Sequence, residues 1–416
     1  MSDPQRHGQA VSAGNGAVCP AREAVVPTFR HLFSTSFDTN NPLRIIAHCD
    51  VDAAYAQFEA ARLGLDCSTV PIGVLQWRSL IAVNYVARAK GVNRFNCTLD
   101  EAMERCPGLR LIHVASYGPG DVEPKYYPLP SSKTHKISLD LYRRESKKIM
   151  DIFRRRLANK EQAVGEFLGY DMKPIIPDGW VPRQLALDEE RVDEGILLEK
   201  ASIDESFFDL SLYVRKQLLH QYPFLDFREA LARMSPDARE KALDAELPRP
   251  PLAVRDELPH AAWVHLGAWL PSDDDPERVD EAEISWVDVA HAIAAERMIA
   301  VRKHVLERLG YTTSAGVAGN KTLAKTVLLP RHALSFLAPM HFQKIRFLGG
   351  KLGAEVAQSW NHSTVTELWD VSREEMRVRL GAGGLWLYDL IRGIDRSEVS
   401  KRIQSRSMMS AKNFGS

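Results

Sequence analysis

Three acidic residues in two separate stretches have the types and the spacing to bind a metal ion. Asp204 and Glu205 are adjacent in the stretch ASIDESFFDL, and Asp50 follows an apolar run in the stretch LRIIAHCDVDAAYAQFE. Taken alone, two acids at a turn are more often solvated turn formers. A third acid where a buried strand ends changes this, because converging carboxylates form a set of oxygen ligands. Such a set suits a hard divalent ion such as Mg²⁺ and leaves room for phosphate oxygens.

Two predicted elements must position these acids. Apolar residues flank the acid pair on both sides, so residues 201–203 and 207–210 are predicted to be the strands of a tight hairpin with the acids at its tip. Residues 45–47 predict a strand that leads into Asp50, and residues 53–63 have helical spacing. The three carboxylates can meet only if the hairpin and this strand place them on one side of a sheet.

Two further stretches have residues suited to phosphate. The run YVARAKGVNR, residues 85–94, projects Tyr85, Arg88 and Arg94 after a predicted pair of strands. Arginine offers bidentate donors and tyrosine a neutral hydroxyl, which together suit a triphosphate, although a solvated basic helix is the open alternative. The paired glycines of IRFLGGKLG, residues 345–353, allow backbone amides to approach a phosphate closely, and a plain helix–helix turn is the alternative there.

Composition sets the broad class. The chain has 416 residues with 45% hydrophobic content, enough for two or three domains with cores of their own. It contains neither an apolar run of bilayer length nor a signal-peptide pattern. Its five cysteines lack CxxC spacing and are predicted to be reduced thiols of an intracellular protein. The formal net charge is zero, but residues 273–283 hold seven acids against one arginine, so the remainder is six charges positive.

Six stretches in chain order resemble the Y-family translesion DNA polymerases, most of all the eta group in its fungal form. They are IAHCDVDAAYAQFE, AVNYVARAKGVNR, SLDLYRRESKKIM, KASIDESFFDL, YTTSAGVAGNKTLAK and KIRFLGGKLG. The resemblance implies an α+β fold, a right-hand polymerase with palm, fingers and thumb and with the little-finger domain absent. The implied domains begin with a disordered tail at residues 1–41, of which residues 29–33 could dock on the body. The implied palm comprises residues 42–53 and 115–337, with insertions at about 158–200 and 223–285, and the implied fingers comprise residues 54–114. The implied thumb comprises residues 338–403, and residues 404–416 are the start of a truncated little-finger linker.

The resemblance also implies roles for individual residues. The family's catalytic metal ligands fall on Asp50, Asp204, Glu205 and the backbone carbonyl of Val51, which would hold two Mg²⁺ ions, with Mn²⁺ as a substitute. The implied nucleotide contacts are Tyr55, Tyr85, Arg88, Arg94 and Lys325, of which Tyr55 would stack under the sugar and exclude a 2′-hydroxyl. The implied DNA contacts are Gln76 near the templating base, Lys321, Gly349, Gly350 and Lys351.

The implied function is DNA synthesis by a nuclear polymerase that adds dNTPs opposite damaged template, such as ultraviolet pyrimidine dimers. Its partners would be primer–template DNA and dNTP, with no membrane. The family's sliding clamp and ubiquitinated clamp are implied as well, although their motifs are absent from this sequence. Three departures stand out: Ala54 replaces the first of two aromatics, Val86 replaces a glutamate, and no Lys-Pro follows Lys325.

Two other functions are alternatives to the polymerase. The first alternative is a truncated, catalytically crippled fragment that only binds DNA or partners, since the Lys-Pro lysine and the little finger are expected and missing. The second is a palm-fold nucleotide cyclase, which also uses paired acids. The sequence disfavours a cyclase because it lacks the Gly-Gly-Asp/Glu hairpin and because the segment at residues 85–94 has no counterpart in that class.

Overall fold

The computed structural model describes residues 25–95, 97–128, 130–157, 195–251, 284–325 and 333–400. The chain forms two compact units. Of the described residues, those within 26–325 and 397–400 belong to one unit, and residues 25 and 333–396 belong to the other. Within the described ranges, no helix combines the length and the apolar character that crossing a bilayer requires. The described residues contain both helices and strands, which confirms the mixed α+β class for them. The assignment of palm, fingers and thumb stays a prediction.

The strands of the described ranges form three sheets. In chain order they are β1 (Ile46–Val51), β2 (Ile72–Gln76), β3 (Ser79–Val83), β4 (Arg110–His113), β5 (Ser116–Tyr117), β6 (Lys136–Ile137), β7 (Leu197–Lys200), β8 (Glu205–Asp209) and β9 (Thr313–Ala318). The largest sheet has the order β7-β8-β1-β9 and is antiparallel throughout. A second sheet has the order β3-β2-β4, in which β2 and β4 are parallel, and β5 pairs with β6.

Helices account for most of the remaining described residues. In chain order they are α1 (Phe29–Phe33), α2 (Ala54–Leu63), α3 (Tyr85–Ala89), α4 (Leu99–Arg105), α5 (Asp140–Leu157), α6 (Ser211–Gln221), α7 (Arg228–Ala232), α8 (Pro236–Asp244), α9 (Trp286–Leu309), α10 (Ala333–Leu337), α11 (Lys351–Trp360), α12 (Val365–Leu368), α13 (Arg373–Leu380) and α14 (Ala382–Leu390). Short 3₁₀ turns lie at Pro223–Leu225, Leu323–Lys325 and Phe342–Lys344.

Helix α5 packs on one face of the largest sheet, and the acids point to the opposite face. Phe208 of β8 lies edge-on to Phe153 of α5 at 5.2 Å between ring centroids, and Ser206 Oγ is 3.3 Å from Met150 Sδ of the same helix. Because side chains alternate along a strand, Glu205 and Phe207 point to the opposite face. Helix α9 packs against β9 at the edge of the same sheet.

Local sequence explains where α9 begins and ends. Ser285 Oγ accepts a hydrogen bond from Val287 N–H at 3.2 Å, and the Asp288 carboxylate accepts one from Ser285 N–H at 2.8 Å. This reciprocal capping satisfies backbone donors that a helix start leaves without partners. The helix ends at Gly310, whose φ of 72° is in the left-handed region that favours glycine.

The second unit is a small helical body. Gly353 of α11 sits so close to the backbone that a β-carbon there would lie 1.7 Å from the Leu348 carbonyl oxygen, so only glycine fits. Trp369 Nε1 donates to the Ile391 carbonyl oxygen at 2.9 Å and ties α12 to the end of α14. In this unit Phe347 has a φ of 72°, and its side chain is exposed.

The hairpin that carries the acid pair starts earlier than predicted. Its first strand is β7, whereas the sequence placed strand at residues 201–203 and assigned residues up to 200 to an insertion. Ser202 Oγ accepts hydrogen bonds from Asp204 N–H at 3.2 Å and from Glu205 N–H at 2.9 Å. These bonds hold residues 201–204 as a turn, because a side-chain acceptor competes with the strand ladder. Residues 158–194 of that insertion lie outside the described residues.

The tail prediction for residues 1–41 is wrong for its second half. Residues 29–33 form α1, and the Phe29 ring lies edge-on to Phe227 at 4.5 Å between centroids. Arg30 forms ion pairs of 2.6 Å with Glu240 and with Asp244 on α8. The docking of residues 29–33 on the body, which the sequence analysis allowed, is what the structure shows. Residues 1–24 lie outside the described ranges.

The second predicted insertion, 223–285, is not uniformly irregular. Its first part contains α7 and α8, against which α1 packs, while residues 252–283 lie outside the described ranges. A 3₁₀ turn lies at Leu323–Lys325, and the residues after it up to 332 are outside the description as well. The same holds for residues 401–403 of the predicted thumb and for the predicted linker 404–416.

Candidate active site

Strand pairing brings the predicted metal ligands together. In the register of β1 with β8, Asp50 lies directly opposite Glu205, so their side chains emerge on the same face of the sheet. Val51 N–H donates a hydrogen bond to the Asp204 carbonyl oxygen at 3.0 Å, which holds Asp204 beside the end of β1. Four residues from stretches some 150 positions apart in the chain thus share one edge of the sheet.

Crowding of negative charge marks this edge as an electrostatic site. Burial raises the pKa of the Asp50 carboxyl to about 7, and repulsion from Asp204 and Glu205 adds to the effect. The ammonium group of Lys325 acts in the opposite direction. Burial and repulsion both raise the pKa, because a carboxylate that is removed from water and placed beside two others is costly to ionise. A cation that bound here would relieve that cost.

The carboxylates are held by nearby donors. Lys325 Nζ lies 2.6 Å from Glu205 Oε1, and the Ser202 hydroxyl donates to Asp204 Oδ1. His48 Nε2, on the same face, is 3.7 Å from Glu205 Oε1. Sequence reasoning missed Ser202, although its signal was present, because a serine two residues before an aspartate is a common turn pattern.

The chemistry of the donors fits a hard divalent cation. All the candidate ligand atoms are oxygens, and burial together with repulsion from Asp204 and Glu205 raises the pKa of Asp50, which a bound cation would counteract. Among the described residues, no three histidine, cysteine, aspartate or glutamate side chains are already arranged to hold a metal ion. Lys325 occupies Oε1 of Glu205 and Ser202 occupies Oδ1 of Asp204, so a cation that used these oxygens would compete with the present partners.

Tyr55 stands next to the carboxylates on an aromatic support. Its ring stacks on Tyr142 of α5 at 4.3 Å between centroids, with 15° between the planes. Burial raises the pKa of the Tyr55 hydroxyl, and the nearby charge of Asp204 adds to it. Tyr55 is among the predicted nucleotide contacts, whereas Tyr142 is absent from the predicted site residues.

Tyr142 is in turn held by a buried acid that the sequence analysis also missed. Glu59 of α2 is fully buried and accepts hydrogen bonds from Tyr142 at 2.7 Å and from Tyr126 at 2.9 Å. Arg62 Nε completes the set at 2.7 Å from Glu59. A carboxylate with three donors is a stable buried group, because each lost water contact is replaced.

The predicted triphosphate contacts lie on and after α3. Tyr85 is 57% exposed, and burial of its remaining surface together with the charge of Asp52 raises the pKa of its hydroxyl. The Arg88 guanidinium lies 5.0 Å from the centre of the Tyr85 ring while its Nε donates to the Val83 carbonyl oxygen at 2.8 Å. Arg94 donates to the Ile81 carbonyl oxygen at 3.4 Å.

The predicted DNA contacts are more scattered. Gln76 ends β2 opposite Ser79, where the chain turns through Trp77. Lys321 Nζ is 2.9 Å from both carboxylate oxygens of Glu199, so it is engaged in an ion pair within the fold, and its contact with DNA stays a prediction. The predicted set Gly349, Gly350 and Lys351 belongs to the second unit, where Gly350 immediately precedes α11.

Comparison with known families decides the classification. The profile of the impB/mucB/samB family matches residues 49–170 and 191–328, which contain the carboxylates, Tyr55 and the whole of α3. The chain belongs to this family. It is the Y family that the six motifs indicated, so the recognition is confirmed. A second profile, the HhH motif of DNA polymerase eta and Rev1, matches residues 340–394 in the second unit.

Several curated proteins are similar to this Y-family chain. It is 32% identical over 388 residues to N-acetyltransferase eso1 of Schizosaccharomyces pombe, covering 90% of this chain and 38% of the relative. It is 27% identical over 358 residues to DNA polymerase eta of Saccharomyces cerevisiae, covering 78% and 48%, and 27% identical over 395 residues to that of Arabidopsis thaliana, covering 89% and 46%. The chain therefore spans less than half the length of these relatives.

Proposed function

We propose that this protein is a template-directed DNA polymerase of the translesion class, which adds dNTPs opposite damaged template bases such as ultraviolet pyrimidine dimers. One observation carries the proposal. Asp50 lies opposite Glu205 in adjacent strands, and the Asp204 carbonyl oxygen accepts a hydrogen bond from the N–H of Val51, the residue after Asp50. Membership of the Y family and the names of the eta relatives support the same reaction and a nuclear location.

The chain's own groups prepare the site for phosphoryl transfer. Asp50, Asp204, Glu205 and the Val51 carbonyl would hold two Mg²⁺ or Mn²⁺ ions. When bound, the ions would supply activation of the primer hydroxyl and neutralisation of phosphate charge. Ser202 orients Asp204 through its hydroxyl, and the pairing of β1 with β8 fixes the separation of the other two carboxylates. Rigid strands suit this task better than loops, because small displacements of reacting groups are costly.

The nucleotide would be held by the groups around this edge. The hydroxyl of Tyr85 and the guanidinium groups of Arg88 and Arg94 are suited to the triphosphate oxygens, and Lys325 adds a cation beside Glu205. The Tyr55 ring, supported by Tyr142, would lie against the sugar and leave no space for a 2′-hydroxyl. Selection of dNTP over rNTP would then be steric.

The partner would be primer–template DNA. Gln76 would lie near the templating base, and Gly349, Gly350 and Lys351 of the second unit would contact the backbone, as the match to an HhH profile supports. Lys321 is a weaker candidate because its ammonium group is already paired with Glu199. Binding to a sliding clamp or its ubiquitinated form stays a prediction from the family.

Primer extension opposite a thymine dimer tests the proposal. In the presence of Mg²⁺, the Asp204→Asn variant is expected to extend the primer more than about 100-fold more slowly than the unmodified chain. The Ser202→Ala variant, whose effect acts through Asp204, should extend it about 10–100-fold more slowly. Glu374→Gln, an equal change of charge at an exposed residue of α13, serves as the matched control and should extend like the unmodified chain. Circular dichroism confirms that each variant is folded.

Two outcomes would contradict the proposal. Equal extension by the unmodified chain and by Asp204→Asn would show that the carboxylates do not carry the reaction. DNA binding without any nucleotide incorporation by the unmodified chain, on damaged and undamaged templates alike, would instead favour a protein that only binds DNA.

A further inference from the structure

The side chain of Phe347 is apolar but largely exposed to solvent, so its burial contributes little to the stability of the second unit. Its side chain is 70% exposed, and its φ of 72° is a conformation that phenylalanine adopts only at a cost. Inside the unit the ring lies roughly perpendicular to the Trp386 ring, at 6.4 Å between centroids, and the Arg346 guanidinium is 5.0 Å from the ring centre. An exposed aromatic ring held in an unfavourable backbone conformation is typical of a contact made with another molecule.

The surroundings of this ring are positively charged. The segment 341–353 contains Lys344, Arg346 and Lys351 and no acidic residue. Lys344 and Lys351 are exposed, and among the described residues neither forms an ion pair within 4 Å. A flat aromatic ring among cations has the chemistry that single-stranded nucleic acid requires, in which bases stack on rings and phosphates meet lysines. An acidic protein surface would match the charges but would leave the ring without a stacking partner.

We propose that Phe347 is a stacking platform for an unpaired DNA base, with Lys344 and Lys351 contacting the flanking phosphates. Arg346 covers one side of the ring, and the exposed remainder accepts the base. The inference rests on the proposed function, from which the DNA partner comes. It adds a base contact to a segment in which the glycines and Lys351 were predicted only as backbone contacts.

Fluorescence anisotropy with the whole chain tests this contact on two probes, a primer–template with a single-stranded overhang and a blunt duplex of equal length. Phe347→Ala is expected to weaken binding of the overhang probe by about 5- to 100-fold and to leave the blunt duplex nearly unchanged. Phe347→Trp, which keeps an aromatic ring, should bind the overhang probe like the unmodified chain. Val378→Ala removes an equally exposed apolar side chain from the same unit, 71% exposed on α13, and should have no effect.

Salt dependence separates the ring from the lysines. For the overhang probe, Lys344→Ala and Lys351→Ala should each lower the slope of log Kd against log salt by about 0.7, while Phe347→Ala leaves the slope unchanged. Phe347→Gly relieves the positive φ, so it should keep or raise the thermal unfolding temperature while weakening binding. A ring that merely supported the fold would lower that temperature in both Phe347→Ala and Phe347→Gly, which would overturn the inference.

Other results would also overturn it. If the unmodified chain binds the overhang probe and Phe347→Ala binds it within 2-fold, the base contact is absent and the proposed polymerase function is untouched. Equal weakening on both probes would assign the ring to duplex DNA. Sedimentation that shows a dimer of the unmodified chain and a monomer of Phe347→Ala would assign it to self-association. If the unmodified chain binds neither probe, the proposed function fails together with this inference.

Discussion

Glu205 lies close to both a positively charged and a negatively charged side chain of the candidate site. Its Oε1 accepts a hydrogen bond from Lys325 at 2.6 Å, and it lies opposite Asp50, whose pKa is raised to about 7. Lys325 is 38% exposed and Glu205 19%, so solvent screens their ion pair in part. The lysine and a divalent ion are therefore competitors for one carboxylate oxygen.

Removal of that competitor should tighten metal binding. Lys325→Met is expected to raise the affinity of the DNA-free chain for Mn²⁺ by about 5-fold, the equivalent of about 1 kcal/mol for a half-exposed ion pair. Electron paramagnetic resonance of free Mn²⁺ measures this without any catalytic step. The control is Lys303→Met, which removes an exposed lysine from α9. An unchanged affinity in Lys325→Met would show that the ion pair does not oppose the metal.

The buried Glu59 gives a second prediction at this scale. Glu59→Gln replaces a charged acceptor of three hydrogen bonds, from Tyr126, Tyr142 and Arg62, by a neutral amide that has only one acceptor oxygen. The loss should be about 1–3 kcal/mol in the free energy of unfolding, measured by urea titration. Glu104→Gln on the exposed side of α4 is the matched control, with less than about 0.5 kcal/mol expected. Equal midpoints for both variants would argue against the network.

Capping controls stability at the scale of single elements, and α12 is the clearest case. The Glu367 carboxylate accepts hydrogen bonds from Ser363 N–H at 2.7 Å and Thr364 N–H at 2.8 Å, which lower its pKa from 4.5 to about 2. Because the folded pKa lies below the unfolded one, this stabilisation is fully present above about pH 4.5 and is lost as the pH falls towards 2.

Glu367→Gln should therefore cost about 1 kcal/mol at pH 7 and progressively less than that below pH 4.5. Thermal unfolding of the variant and the unmodified chain, compared at intervals from pH 7 to pH 3, measures the difference. Glu355→Gln on α11 controls for the change in charge. A difference between the chains that stays constant with pH would mean that the carboxylate is not the capping group.

Elements that local sequence specifies were predicted well, and those that tertiary contacts specify were not. The apolar run before Asp50 and the apolar residues after Glu205 predicted β1 and β8, since both patterns are local. β7 was missed because its residues follow an acidic run and only pairing with β8 makes them a strand. Helices α7 and α8 were missed because their packing partner, α1, lies about 200 positions earlier in the chain.

The same division applies to the candidate site. Residue types and motif order indicated Asp50, Asp204, Glu205 and Tyr55, and the structure brings these four close together. Glu59 could not be identified, because a glutamate within a helix is ordinarily on the solvent side. Only the approach of Tyr126 and Tyr142 from two other segments explains its burial.

At the scale of the whole molecule, the chain leaves the larger unit, forms the helical body and returns. The returning residues are attached through Glu199 of β7, which accepts a hydrogen bond from Ser400 N–H at 2.9 Å and pairs with Lys321. Arg44 donates to the Ser397 carbonyl oxygen at 3.0 Å. The largest sheet thus anchors both the acids and the returning chain.

Lys321→Met should weaken this anchor by leaving Glu199 buried without its cation. The expected loss is about 3 kcal/mol for the larger unit, because breaking one side of a buried pair leaves an uncompensated charge. Hydrogen exchange should show faster exchange in β7 and β8 and unchanged protection in α11 to α14. The control, Lys125→Met, removes a lysine from an exposed pair with Asp121 and should cost less than about 1 kcal/mol. Uniform loss of protection across both units would contradict the assignment.

The register of β1 ties the position of Asp50 to the integrity of the core. His48 and Asp50 share one face of the strand, and Ala47, Cys49 and Val51 share the other, which is buried. A slip of one residue against β8 would move the Asp50 carboxylate to the face on which α5 packs and, at once, move Ala47, Cys49 and Val51 away from that face. The alignment of Asp50 with Glu205 and the filling of the core on the other face therefore depend on one and the same register.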